Sequence, residues 1–300
     1  MSTKIAVAMA HGICVGNEFD EEESPQYTGG MAQALKLKLA ELAGKSGSQE
    51  QKLDWANSRV VISAINWTPV LKEERKKLYE KLGIPERTSF FGLREFIFQA
   101  IADSLTYQVT DSQSDDLWGY KQIHRCFAEG LQELAQEEQA GSDAPLCIVS
   151  HSLGTVITSN YFYDLQAQKA KIEIGDTPLE KGETLTSVYT LASPIPFWSL
   201  RYPGFDRPIA VPSEKIQQHY PDLEGEWINF YNDSDIMGYP LKSLNQAYFE
   251  AVKEDKVVDA GGLLDSWNPL SHCDYWTNES VINTIATGLY NILQQLDRVD

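Results

Sequence analysis

The sequence predicts an α/β protein in which a mainly parallel central sheet carries helices on both faces. Three observations lead there. Short apolar runs, too brief for helices, alternate along the chain with longer segments of helical spacing, the pattern of strand–helix crossovers. Two of those runs, 59–67 and 145–149, are nearly continuous in apolar residues, as strands buried on both faces require. The second, Pro145-Leu146-Cys147-Ile148-Val149, leads through Ser150-His151-Ser152-Leu153-Gly154 into a helical stretch from Thr155 to Gln168. A serine therefore stands at a strand-to-helix break, where a tight turn lifts its hydroxyl clear of the sheet. Such a turn crowds its neighbours and needs small residues two positions either side, here Ser150 and Gly154.

The chain has 300 residues, enough to bury a core, and shows no internal repeat or low-complexity linker, so a single domain over 1–300 is expected. Its 43 acidic against 25 basic residues give a net charge of −18, which speaks against nucleic acid or an anionic membrane as partner. No run approaches the roughly 18 apolar residues that a membrane span needs. The four cysteines, Cys14, Cys126, Cys147 and Cys273, lack metal-ligand spacing, so reduced thiols in a cytoplasm are expected and no metal.

In chain order, residues 4–10 read as the first strand, closed by His11-Gly12-Ile13. Asp20-Glu21-Glu22-Glu23 follow as a solvated loop, because packed like charges prefer water. Met31, Leu35, Leu39 and Leu42 recur at helical spacing, with Gly44 placed to stop the helix. After a polar loop at 44–52, Arg59 to Trp67 is the second strand, and Thr68-Pro69 opens a charged helix over about 70–82, proline being tolerated in a first turn. Helices over 93–105 and 117–138 complete a helical stretch, within 70–140, that serves as a lid over the site or as extra scaffold. Beyond the Ser152 helix, Leu185 to Leu191 is a strand. Residues 194–224, rich in proline and aromatics, leave the sheet. They form an excursion at the mouth of the site or packing on its outside. Glu226 to Tyr231 resumes as a strand ending in Asn232-Asp233-Ser234-Asp235. A helix near 241–253, a strand at 256–258, a long loop over 261–276 and a last helix over 279–296, capped by Asn278, complete the order.

A serine hydroxyl needs a base to take its proton and an acid to orient that base. Where this chemistry sits at a strand-to-helix turn, the partners follow in the order acid, then histidine, on loops at the carboxyl ends of later strands. Of five histidines only His219 and His272 lie beyond such an acid; His219 falls inside the excursion, whereas His272 falls after the last strand, where the base belongs. Asp235 is preferred as the acid because it lies deeper in the loop leading to Met237-Gly238-Tyr239-Pro240, with Asp233 the alternative; Asx residues directly after a strand often only cap a turn. The oxyanion needs two donors, expected from the backbone N–H groups of Leu153 and Ile13, with Gly12 allowing close approach. His11 is expected to be structural and His151 to brace the turn. Trp198, Trp267 and Trp276 either line an apolar acyl pocket or pack on one another.

With these residues in view the chain resembles the α/β-hydrolase superfamily, and within it bacterial lipases and esterases. That likeness lies in His11-Gly12-Ile13 and in His151-Ser152-Leu153-Gly154; the chain also resembles a further group of bacterial α/β hydrolases in Tyr163-Asp164-Leu165-Gln166, in Ala192-Ser193-Pro194 and in Ser271-His272 with Tyr275-Trp276. The resemblance implies the α/β-hydrolase fold and a Ser152, His272, Asp235 triad without cofactor, and names no substrate. Ser150 departs from the usual glycine. The expected function is hydrolysis of a small-molecule ester or thioester, the alternative a binding or regulatory protein on the same scaffold.

Overall fold

The structure, a computed structural model, describes residues 3–12, 24–83, 91–108, 118–202, 204–259 and 269–298. Strands β1 (Ile5–Ala10), β2 (Val60–Ile65), β3 (Leu146–His151), β4 (Leu185–Leu191), β5 (Trp227–Tyr231) and β6 (Glu254–Val257) form one sheet in the order β2-β1-β3-β4-β5-β6. Every neighbouring pair is parallel, so each connection is a crossover long enough to hold helices. The chain moves outward from β1 to β2, returns across β1 to β3, and then runs one way to β6. Its direction therefore reverses between β1 and β3, and in such sheets the crevice outside the carboxyl ends of those two strands is where ligands bind.

The two-residue period of β1 divides the core into two layers. Ile5, Val7 and Met9 pack with helices α1 (Ser24–Leu42) and, at the other end of the chain, α10 (Glu279–Leu296). The small Ala6, Ala8 and Ala10 lie on the opposite layer, where α5 (Trp118–Leu134) and α6 (Leu153–Gln166) approach closely through Ile123, Phe127, Val156 and Tyr161. Val281, Ile285, Leu289, Ile292 and Leu296 of α10 are buried along one face as their spacing predicts, and the Asn278 side chain caps its first turn by accepting from Ser280 and Val281 N–H. The stop after α1 is also the expected one: Gly44 takes φ +67°, and Lys45 N–H reaches the Ala40 carbonyl at 2.9 Å, satisfying a terminal acceptor.

Elsewhere the structure departs from the periodicity. Helix α2 (Gln49–Asn57), in which Ala56 is buried, begins inside the polar stretch 44–52 read as a loop. A helix with so little apolar surface leaves no stripe to read; its signature is the cap, where Ser48 Oγ accepts from Gln51 N–H and the Gln51 side chain accepts from Ser48 N–H. Ser48→Ala is expected to cost about 1 kcal/mol, measured as a lower urea midpoint at unchanged m-value. Helices α3 (Pro69–Lys81) and α4 (Phe91–Thr106) precede α5. Within the excursion lie two short helices, α7 (Ile195–Ser199) and α8 (Ile216–His219). The helix expected over 241–253 is shorter, α9 (Gln246–Ala251), started by the Asn245 side chain accepting from Tyr248 N–H. β6 begins at the charged Glu254 rather than Lys256, as suits an edge strand half open to water. Residues 269–276, read as loop, form a 3-10 helix. Ile13, Cys14, the acids at 20–23 and Trp267 lie outside the described residues. Among the described residues no helix is long and apolar enough to cross a membrane, and Cys126, Cys147 and Cys273 are free.

Candidate active site

At the end of β3 the chain turns into α6 through a single strained residue. Ser152 has φ 51° and ψ −129°, a region that costs a non-glycine residue roughly 1–3 kcal/mol. The strain is held by bonds on every side: Ser152 N–H donates to the Leu191 carbonyl at 2.9 Å, and the Ser152 carbonyl accepts from Thr155 N–H at 2.9 Å and from the Thr155 hydroxyl at 2.7 Å. Thr155 Oγ1 in turn bonds Ser193 Oγ at 2.9 Å, tying the turn to the segment after β4. The crowding that calls for small neighbours is visible. A Cβ on Gly154 would stand 2.3 Å from the Ala10 carbonyl oxygen, and one on Gly12 would stand 2.3 Å from Ser152 Cβ. Ser150, where glycine is more usual, is fully buried on β3 between Ala10 and Thr190.

The 3-10 helix after β6 brings His272 to this turn. Its Nε2 lies 2.7 Å from Ser152 Oγ, and its Nδ1 lies 2.9 and 3.0 Å from the two oxygens of Asp235. Asp235 hangs from the loop after β5. Asn232 shapes that loop by accepting from Ser234 N–H through its side chain and from Asp235 N–H through its carbonyl. Asp233 is exposed on the same loop, and of the two acids it is Asp235 that meets the histidine. The Asp235 carboxylate also accepts from Met237 N–H and from the Tyr275 hydroxyl, both at 2.9 Å. Burial alone would raise its pKa, but the bond and charge of His272, helped by these two donors, hold it at about 2. An ionised Asp235 is acceptor only, so the shared proton sits on His272 Nδ1 and leaves Nε2 with a lone pair toward Ser152.

His151 braces more than the turn. Its Nε2–H donates to the His272 backbone carbonyl at 2.6 Å, and the two rings stand 4.7 Å apart. Burial lowers its pKa to about 3, so it remains neutral. His11 is structural: its ring stacks 5.6 Å from Trp67, whose Nε1–H donates to the His11 carbonyl at 2.7 Å. Burial pushes its pKa below the ordinary value. His219 lies with Glu183, 3.2 Å away, and His124 bonds the Tyr107 hydroxyl inside an aromatic cluster; neither joins Ser152.

The N–H of Leu153, first residue of α6, has no partner within the helix and sits where the helix dipole favours negative charge. Ile13, expected to supply the second amide, lies outside the described residues. Among the described residues a small pocket of about 10 Å³ lies beside Ser152. It is lined by Leu153, Ala100 and Ser104 of α4, Pro194, Trp198 and Met237. Of the two tryptophan alternatives, Trp198 borders this space, while Trp276 is buried in the α1–α10 layer of the core. A larger cavity of about 370 Å³, around Lys45, Trp55, Arg59 and Asp297, contains none of the three residues. Of the helical stretch before β3, α5 packs on the sheet, with Gly130 against Ile65, whereas α4 reaches the serine. α4 is tied to α3 by a 2.7 Å ion pair between Arg75 and the buried Asp103, whose carboxyl burial raises to about 7 against the pull of that arginine. The spacing leaves open whether the helices within 70–140 reach the site, and it does not single out α4 at the serine or Tyr275 on Asp235, since both contacts depend on how distant segments pack.

No protein-family model and no curated protein matches the chain. Among solved structures the chain is similar to an uncharacterized protein from Bacillus cereus ATCC 10987, at 10% identity and a TM-score of 0.34, over 85% of this chain and 52% of that one. The chain thus spans about half the length of that protein. It is an α/β protein whose six-stranded parallel sheet carries a hydrogen-bonded Ser152, His272 and Asp235 at the carboxyl ends of its strands.

Proposed function

We propose that the protein is a serine hydrolase of the α/β-hydrolase type, cleaving a carboxylic ester or thioester through an acyl-enzyme on Ser152. The observation that carries the reading is the unbroken line of hydrogen bonds from Asp235 through His272 to Ser152, at 2.9 and 2.7 Å. The topology supports it: the nucleophile follows β3, the acid β5 and the base β6, the order Ser, Asp, His of that fold.

In the reaction, Ser152 Oγ attacks the substrate carbonyl carbon while His272 Nε2 takes its proton, and Asp235 stabilises the resulting imidazolium. The oxyanion accepts from the Leu153 amide. The tetrahedral intermediate collapses by breaking the C–O or C–S bond, and His272 returns the proton to the leaving group. Water then attacks the acyl carbon with His272 again as base, releasing the acid and restoring Ser152.

Among the described residues α4 borders the space beside Ser152, and we assign it as part of the wall that substrate meets. Its residues Ala100 and Ser104 face the serine, while Ile97, Ile101 and Leu105, spaced by four, stand exposed along it at 42, 56 and 68%. Phe197 and Leu200 at α7 and Ile236 beside Asp235 are exposed too, so the elements that border the site carry apolar surface. Such a rim suits an apolar acyl group. A fluorophosphonate probe is expected to label wild-type protein and not Ser152→Ala. Equal labelling of both would overturn the assignment, and ligand binding without labelling or turnover would favour a binding protein on this scaffold.

A further inference from the structure

The run Ser271-His272-Cys273-Asp274-Tyr275-Trp276 contains a tyrosine for which the serine chemistry supplies no role. Its geometry does. In a 3-10 helix a turn closes every three residues, so side chains at i and i+3 lie one above the other. His272 and Tyr275 are three apart on such a helix, and both reach the same oxygen of Asp235, each at 2.9 Å. Trp276, one position on, is buried against the α1–α10 layer and anchors the turn.

We propose that Tyr275 is a positioning residue of the reaction proposed above: its hydroxyl orients the Asp235 carboxylate and takes up part of its charge, so that the Asp235–His272 pair loses its proton at lower pH. This inference rests on the hydrolase reading. Tyr275 is fully buried, and burial beside Asp235 pushes its phenol well above the ordinary range, so it stays protonated and acts as a donor. A neutral donor on the carboxylate disperses negative charge that would otherwise be spent on the imidazolium. The carboxylate's other partners are His272 Nδ1 and Met237 N–H. Behind His272 stands His151 of β3, held neutral by burial, and beyond it His11, likewise lowered. Because Asp235 and His272 interact strongly, the acidic limb of activity belongs to the pair.

The test is the pH profile of fluorophosphonate labelling at Ser152 for wild-type protein and Tyr275→Phe, taken over about pH 5 to 9. Removing the hydroxyl is expected to move the acidic limb upward by about 0.5 pH unit, about threefold in the proton-binding constant. The low-field proton resonance of His272 Nδ1–H should titrate upward by the same amount. 3-Fluorotyrosine in place of Tyr275 keeps the packing and strengthens the donor, so its limb should move downward. This second variant keeps the test decisive should the phenylalanine protein fail to fold. Normal labelling with an unmoved limb in either variant would make Tyr275 a packing residue and overturn the inference alone. Absence of labelling in wild-type protein would overturn the hydrolase reading, and this inference with it.

Discussion

Asp235→Asn is expected to lower kcat by about 10⁴-fold with the fold intact, and Asp233→Asn to leave it nearly unchanged. The reason lies in the donors around the carboxylate. Asp235 accepts from His272 Nδ1–H, Met237 N–H and the Tyr275 hydroxyl. An asparagine there has one oxygen for these donors and an NH₂ group that needs an acceptor. His272 Nδ1 can become that acceptor by changing tautomer, which places a proton on Nε2 facing Ser152. The ring can then no longer take the serine proton. Asp233 is exposed and contributes nothing to this arrangement. Ester turnover by the two variants side by side decides the matter, and comparable losses in both would contradict the role given to Asp235. The same carboxylate also links stability to pH. In the unfolded chain it takes up a proton near pH 3.9, in the folded one near 2. Its stabilising contribution is therefore complete above about pH 4 and is lost as acid carries the protein down through about pH 2, a loss absent from Asp235→Asn.

Gly12→Ala is expected to lower kcat at least about 10²-fold and to reduce the melting temperature. The added Cβ would stand 2.3 Å from Ser152 Cβ, 2.6 Å from the His151 carbonyl oxygen and 3.0 Å from Leu153 N. Two of these atoms are backbone, so no flexible side chain can yield. Either the end of β1 or the Ser152 turn must give way, and movement of the turn carries the hydroxyl and the Leu153 amide away from His272. Gly29→Ala is the control: nothing lies within 4 Å of the added Cβ, and the position is exposed on α1. A helical alanine there should stabilise by about 0.5–1 kcal/mol relative to glycine. Gly12→Ala turning over ester at the wild-type rate would show that the close approach of the β1 turn has no bearing on the site.

Most of the secondary structure was legible because its causes are local. The apolar runs of β1 and β3, the stripe of α10 and the stop at Gly44 each follow from side chains a few residues apart. Helix α2 escaped because its stability comes from a cap and from packing on α1 rather than from an apolar stripe. The 3-10 helix at 269–276 escaped because a period of three over so short a stretch is indistinguishable from loop.

The candidate site divides along the same line. The order of the amino acids determined that a serine would stand at a strand-to-helix turn, with an acid and a histidine on later loops, because turn crowding and strand length act over neighbouring residues. Only the tertiary structure decided that Asp235 rather than Asp233 meets His272, that Tyr275 bonds Asp235 and His151 the His272 carbonyl, and that α4 borders the serine. Asp235 and His272 are 37 positions apart and His151 and His272 are 121 apart, and nothing local specifies how the loops after β5 and β6 settle against the turn after β3.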